Sequence, residues 1–422
     1  MTVTITKPIT GGAVGAIASK SMAHRLLICA ALASAPSSVV CAETSADIDA
    51  TAGCLTALGA RIDFDGGVFR VVPIPRPVAG ERTLAVGESG STLRFMLPVA
   101  CALGADASLT MAGRLPSRPL SPLYEELISH GCAISAPGYN PLRTSGQLTG
   151  GKYTIPGNIS SQFISGLMFA LPLLHGESRI KILGDIESKP YIDMTLAALK
   201  EFGVTVKPGR QMYGIAGNQQ YASGRTVTVE GDWSNAAFWL CAGAVGSGEI
   251  TVTGLSTDSL QGDKGVVDIL ERFGARVRRG GGSVTVSRGA LKGIDIDAGD
   301  TPDLVPALAA VAAAAEGTTV FRNAGRLRIK ESDRLKTVTE TLAALGADIA
   351  ETEDGLVVRG KPRLGGGTVS AHGDHRIAMA AAVVSSVCAG PVTIAGAEAV
   401  NKSYPGFFSD FTILGGNYKE TT

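Results

Sequence analysis

Leu335-Lys336-Thr337-Val338-Thr339-Glu340-Thr341-Leu342-Ala343-Ala344-Leu345-Gly346-Ala347 has the pattern of one helix and its stop. Apolar residues at Leu335, Val338, Leu342 and Leu345 have the spacing of an amphipathic helix, and Gly346 stands where that helix should stop. The same phrase, helix, then a bulky residue or His, then Gly, recurs at Leu58-Gly59-Ala60, His130-Gly131-Cys132, Phe202-Gly203-Val204, Phe273-Gly274-Ala275 and Leu414-Gly415-Gly416. The six glycines follow one another at intervals of 69 to 72 residues. A beat kept six times marks an internal repeat.

Each repeat holds an earlier helix of a different kind. It begins with a polar or charged cluster and then turns almost wholly apolar, as a buried helix does. The clusters are Ser19-Lys20-Ser21 with His24-Arg25, Gly87-Glu88-Ser89-Gly90-Ser91 with Arg94, Gly157-Asn158-Ile159-Ser160-Ser161-Gln162, Gly231-Asp232-Trp233-Ser234, Gly299-Asp300-Thr301-Pro302-Asp303 and Gly373-Asp374-His375-Arg376. A repeat of about 70 residues is therefore two helices plus several strands, an α/β (α+β) unit. Six such units exceed one core and predict two domains of three units each. The N-terminal strand Thr2–Thr6 precedes the first buried helix without a partner of its own, which pairs it with the last unit. The predicted domains are 1–18 plus 229–422, and an inserted 19–228.

Equal numbers of basic and acidic residues, 38 each, argue against a nucleic-acid or acidic-membrane binder that relies on bulk charge. Aromatic residues at 5% are too scarce for single-strand stacking platforms. The seven cysteines form no CxxC and lie mostly in apolar segments, the pattern of reduced thiols in a cytoplasmic protein. Neither they nor the five histidines have metal-ligand spacing, and no apolar run is long enough to span a bilayer.

Just before the opening stretch, Arg326-Leu327-Arg328-Ile329-Lys330-Glu331-Ser332-Asp333-Arg334 packs four cations and two carboxylates into nine positions. Ser332 is the predicted cap of the following helix, with Asp333 in its first turn. Cations around a carboxylate at a helix N-terminus suit a polyanionic ligand beside a proton donor. The repeat geometry would bring the polar N-termini of the buried helices into one cleft between the domains. Asp232 and Ser234 read as N-caps. Lys20 and Arg94 do not, because a cation near a helix N-terminus opposes the dipole, a cost that a bound anion offsets.

Nine motifs, in order, then resemble one family. They are Ser19-Lys20-Ser21 with Arg25, Gly90-Ser91 with Arg94, Arg118-Pro119-Leu120, Ser160-Ser161-Gln162-Phe163, Ser188-Lys189-Pro190-Tyr191, Pro302-Asp303, Lys330-Glu331-Ser332-Asp333-Arg334, Asp374-His375-Arg376 and Lys402-Ser403-Tyr404-Pro405. The chain resembles the 5-enolpyruvylshikimate-3-phosphate synthases of the enolpyruvyl transferase family, over essentially its whole length. That resemblance implies a two-domain inside-out α/β barrel of six βαβαββ repeats with the active site in the inter-domain cleft. It implies transfer of the enolpyruvyl group of phosphoenolpyruvate to the 5-hydroxyl of shikimate 3-phosphate, in aromatic amino acid biosynthesis.

The implied roles are specific. Glu331 is the acid that protonates C3 of phosphoenolpyruvate and later takes a proton back. Asp303 is the base for the 5-hydroxyl, and Lys20 serves both ends. Phosphoenolpyruvate is expected at Lys20, Gly90, Arg94, Arg118, Gln162, Arg334, Arg376 and Lys402. Shikimate 3-phosphate is expected at Lys20, Ser21, Arg25, Ser160, Ser161, Gln162, Ser188, Asp303 and Lys330. Arg326, Tyr191 and His375 are weaker expectations. Glyphosate is implied as a competitor for the phosphoenolpyruvate pocket. The reaction calls for no metal or cofactor, and the resemblance suggests a monomer with small-molecule substrates alone.

Some positions depart from the family pattern. Ala18 replaces a usual Gly, Glu88 stands where Asn is common, and Arg326 occupies a place where Asn often binds shikimate 3-phosphate. The rival readings are a UDP-N-acetylglucosamine enolpyruvyl transferase, a non-catalytic polyanion-binding repeat protein, and an RNA-end-processing relative. The first carries a Cys five residues before the Arg of its Arg-Pro motif, where this chain has Gly113.

Overall fold

A computed structural model describes residues 1–222 and 224–421. The chain divides into two compact units, Met1–Ile17 with Glu230–Thr422, and Ala18–Val229. Each is an inside-out α/β barrel in which three apolar helices form the core and three four-stranded sheets cover them. The core helices of the continuous unit are Lys20–Leu32, Gly90–Ala102 and Ser161–Ala170. Those of the discontinuous unit are Trp233–Val245, Val305–Ala312 and His375–Val384. Phe95 stacks edge-on against Phe169 at 5.4 Å and lies 6.4 Å from the His24 ring, which ties the first set together. Gly166 allows the closest approach, since a Cβ there would lie 2.2 Å from the Arg94 carbonyl oxygen.

The outer helices of the repeats are Ala46–Ala57, Leu123–Ser129, Lys189–Glu201, Val266–Phe273, Arg334–Ala344 and Phe407–Ile413. The six repeat glycines that follow them all have positive φ, from 75° at Gly203 to 113° at Gly59. A side chain at such a position is strained, so the left-handed stop explains the sequence beat.

Every sheet has the same order: an edge strand parallel to its neighbour, then two antiparallel pairs. Three strands arrive from a distant part of the chain. Thr2–Lys7 sits between Val392–Ala395 and Asn417–Thr421, so the N-terminal strand completes the sixth repeat. Gly12–Gly15 runs parallel to Ile250–Thr253 and supplies the edge of the fourth. Thr226–Thr228 runs parallel to Ser37–Val40 and supplies the edge of the first. Each unit is thus closed by pairing strands from the two ends of its own sequence.

One local expectation is corrected. Asp333, not Ser332, caps the helix Arg334–Ala344, its side chain accepting from the Lys336 N–H. The Ser332 hydroxyl donates instead to Asp374 at 2.9 Å and shares a hydrogen bond with Thr337. Ser332 is turned toward the buried carboxylate, which leaves the first-turn N–H to Asp333.

Candidate active site

In the continuous unit, residues at the N-termini of the three core helices form one polar group. Ser19, Ser89 and Ser160 cap these helices. Arg94 is buried and donates to the Gln162 side-chain oxygen and to the Pro119 carbonyl, both at 3.0 Å. Gln162 passes its own amide hydrogen to the Ser91 hydroxyl at 2.9 Å. Arg118 follows the turn Leu115–Ser117, and its guanidinium lies over Gly90: a Cβ at Gly90 would be 2.7 Å from Arg118 Nη1 and 2.8 Å from Arg94 Nη1. Gly90, Arg94, Arg118 and Gln162 therefore form a compact cationic notch at a helix N-terminus.

Arg25 anchors a second group. Its guanidinium donates to the Thr195 hydroxyl at 2.9 Å and to the carbonyls of Ser21 and Tyr191 at 2.6 and 2.8 Å. These acceptors are neutral, and burial pulls the Arg25 pKa down to about 10. Thr195 donates onward to Ser165 at 2.8 Å. Ser188 is buried with φ 54° and opens the helix that carries Tyr191 and Thr195; the Tyr191 side chain is half-buried. Ser161 is buried at the start of its helix. Lys20, at the first turn of its own helix, pairs with Asp47 at 2.9 Å.

The discontinuous unit holds the carboxylates. Arg334 is almost fully buried and reaches three of them: Asp303 at 2.8 Å, Glu331 at 2.7 Å and Asp374 at 2.8 Å. These pairs raise its pKa above the ordinary arginine value despite the burial. Asp303 also lies 3.5 Å from Lys330 and 3.4 Å from Arg376, whose Nη1 donates to the Asp303 carbonyl at 3.0 Å. Burial works to raise the Asp303 pKa, but Arg376, Lys330 and Arg334 outweigh it and hold the carboxyl well below the usual range. Burial brings Lys330 down to about 8; Asp303 opposes that fall, and the Arg326 charge adds to it. Lys402 donates to the Gly373 carbonyl at 2.6 Å, at the turn before Asp374. His375 is buried with Nδ1 3.7 Å from Asp374.

The structure joins Gly90, Arg94, Arg118 and Gln162 in one group and Asp303, Lys330, Glu331, Arg334 and Arg376 in another, and it places Lys20 and Ser161 at the starts of their own helices. Asp47 and Asp263 were not singled out, and Asp374 was named only as part of a motif. Asp374 caps the helix His375–Val384 and ties down Arg334. Asp47 holds Lys20, and it lies one helical turn before a Thr, a signal readable only once its partner helix is known. Asp263 is fully buried, accepts from the Ser234 hydroxyl, and is pushed up to about 6 by burial and the Asp303 charge, with Arg376 opposing. Asp232 caps its helix through Asn235, but the Ser234 hydroxyl goes to Asp263 rather than to the backbone.

Known proteins can be set beside this geometry. The family described as EPSP synthase (3-phosphoshikimate 1-carboxyvinyltransferase) matches residues 3–411. A 3-phosphoshikimate 1-carboxyvinyltransferase of Clostridium kluyveri is 45% identical over 404 residues, covering 95% of this chain and 94% of that protein. One from Clostridium perfringens is 43% identical over 422 residues and covers 99% of both. The solved EPSP synthase of Acinetobacter baumannii superposes with a TM-score of 0.81 at 26% identity, over 99% of this chain and all of that one.

Proposed function

The chain belongs to the EPSP synthase family, and from that premise we propose how its residues divide the reaction. It transfers the enolpyruvyl group of phosphoenolpyruvate to shikimate 3-phosphate and releases phosphate. The observation that carries the residue assignment is Arg334, whose single guanidinium holds Asp303 on one nitrogen and Glu331 on another. Two carboxylates fixed at one centre suit a reaction with two proton transfers.

Glu331 protonates C3 of phosphoenolpyruvate, which makes C2 electrophilic. The 5-hydroxyl of shikimate 3-phosphate attacks C2 while its proton passes to Asp303. The tetrahedral adduct then expels phosphate, and Glu331 takes a proton from the new methyl group to restore the double bond. Asp303 is a weak base while three cations surround it. The anionic substrates draw Lys330, Arg334 and Arg376 toward themselves, and the carboxylate gains basicity as they do.

The notch of Gly90, Arg94, Arg118 and Gln162, with Arg334, Arg376 and Lys402, binds phosphoenolpyruvate. Ser21, Arg25, Ser160, Ser161, Gln162 and Ser188, with Asp303 and Lys330, hold shikimate 3-phosphate, and Lys20 serves both. Arg326 acts through the charge of Lys330. Asp303 and Glu331 belong to one unit and the notch to the other. Among the described residues no helix is long and apolar enough to cross a membrane. We place the enzyme in the cytoplasm, which the seven free cysteines support, and read it as a monomer.

The UDP-N-acetylglucosamine reading is disfavoured at Gly113. It offers no thiol, it has φ 56°, and a Cβ there would push aside the Glu88 carboxylate 2.4 Å away.

Phosphate release is the test. The purified protein should release phosphate from phosphoenolpyruvate only when shikimate 3-phosphate is added. Equal turnover with UDP-N-acetylglucosamine would overturn the assignment. Asp303→Asn and Glu331→Gln should each lower kcat on the order of 10²-fold or more while changing substrate binding little.

A further inference from the structure

Beneath the Lys20–Asp47 ion pair lies a second, buried link between the same two helices. His24 is one turn beyond Lys20, and Thr51 is one turn beyond Asp47. His24 Nδ1 and Thr51 Oγ1 are 2.7 Å apart, so the two helices are joined by successive rungs. The lower rung branches. Thr51 shares a 2.7 Å hydrogen bond with Thr92, on the helix that begins at Gly90. Thr92 in turn donates to the Ser89 hydroxyl at 2.7 Å, and Ser89 caps that helix by accepting from the Thr92 N–H.

The proton order follows from these contacts. Thr92 spends its one hydroxyl hydrogen on Ser89, so it accepts from Thr51. Thr51 then accepts from His24, which carries its hydrogen on Nδ1. Burial and the charges of Lys20 and Arg25 keep this imidazole neutral. His24, Thr51 and Thr92 are all fully buried, so each hydroxyl depends on its protein partner.

We infer that Thr51 is a positioning residue, the node that keeps Lys20 in register with the Ser89–Gly90 turn. It touches no substrate. It sets the spacing between the helix that presents Lys20 and the helix that presents Gly90 and Arg94. The inference rests on the proposed binding of phosphoenolpyruvate at those residues.

Thr51→Val keeps the shape and removes the hydroxyl, whereas Thr51→Ser keeps the hydroxyl and removes a methyl group. KM for phosphoenolpyruvate, kcat and melting temperature should be measured for both beside the wild-type enzyme. Thr51→Val should raise that KM on the order of tenfold, with a smaller change in kcat. Thr51→Ser should stay within about twofold of wild type, even where its melting temperature falls, because the hydroxyl network survives. An unchanged KM in Thr51→Val, or equal KM shifts in the two variants, would overturn the inference. If Thr51→Val does not fold, Thr92→Val cuts the branch to the third helix alone; it should raise the same KM, and a wild-type value there also overturns the inference. A wild-type enzyme that fails to use phosphoenolpyruvate would instead remove the functional reading, and this inference with it.

Discussion

Arg25 and Arg334 are both deeply buried, each in one unit, and their pKa values move in opposite directions. Arg25 faces a hydroxyl and two carbonyls; Arg334 faces three carboxylates. A guanidinium among neutral acceptors keeps its charge available to a ligand. One among carboxylates has to hold them in place as well. The comparison separates two jobs that a list of cations would merge. In the continuous unit Arg25 offers its charge to an anion, whereas in the discontinuous unit cations that serve the substrates also hold the carboxylates for proton transfer.

The largest effect that would test this contrast is on stability. Arg334→Gln leaves Asp303, Glu331 and Asp374 without their shared cation and should destabilise the free enzyme by ~3–5 kcal/mol. Arg25→Gln leaves no carboxylate behind. It should change the melting temperature far less while weakening shikimate 3-phosphate binding severely. Similar losses of stability in the two variants, measured by denaturant unfolding, would break the comparison.

Burial, with the Asp303 charge beside it, gives the discontinuous unit a pH signature at Asp263. Its folded pKa is raised to about 6 from the ordinary 3.8. The stability linked to that shift is therefore complete below pH 4 and is lost as pH rises through 6. Asp263→Asn should accordingly stabilise the protein at pH 7.5 by ~1–3 kcal/mol and give no such gain at pH 4. Thermal unfolding at the two pH values checks this; equal effects at both would mean that Asp263 is not held in that state.

The smallest effect concerns the cationic notch. Gly90→Ala puts a methyl group against the far ends of Arg94 and Arg118, which can yield. The fold should therefore persist. KM for phosphoenolpyruvate should rise roughly tenfold, inhibition by glyphosate should weaken more, and shikimate 3-phosphate binding should stay nearly constant. A lowered melting temperature with unchanged KM and inhibition would make Gly90 a packing residue only.

Much of this was legible in the chain. The six glycines gave away the repeat because a left-handed helix stop leaves few alternatives, and the first-turn motifs gave away the cations because charge at a helix N-terminus is conspicuous. What stayed hidden were choices between partners far apart in sequence. Ser332 has the look of a cap, but Asp374, 42 positions away, takes its hydroxyl. Asp263 looks like an ordinary surface acid after Gln261-Gly262 until Ser234 and Asp303 are seen beside it. His24, Thr51 and Thr92 read as core positions with incidental polarity, because a hydrogen-bonded chain across three helices has no local signature.

That Glu331 of the discontinuous unit gives a proton to C3 and takes one back is the step on which the proposed reaction turns. It is tested most directly by running the reaction in D₂O and reading deuterium in the vinyl group of the product by mass spectrometry. The methyl group of the adduct rotates before elimination, so the wild-type enzyme should deliver product with deuterium in that group. Product free of vinyl deuterium would show that C3 is never protonated and would contradict the account.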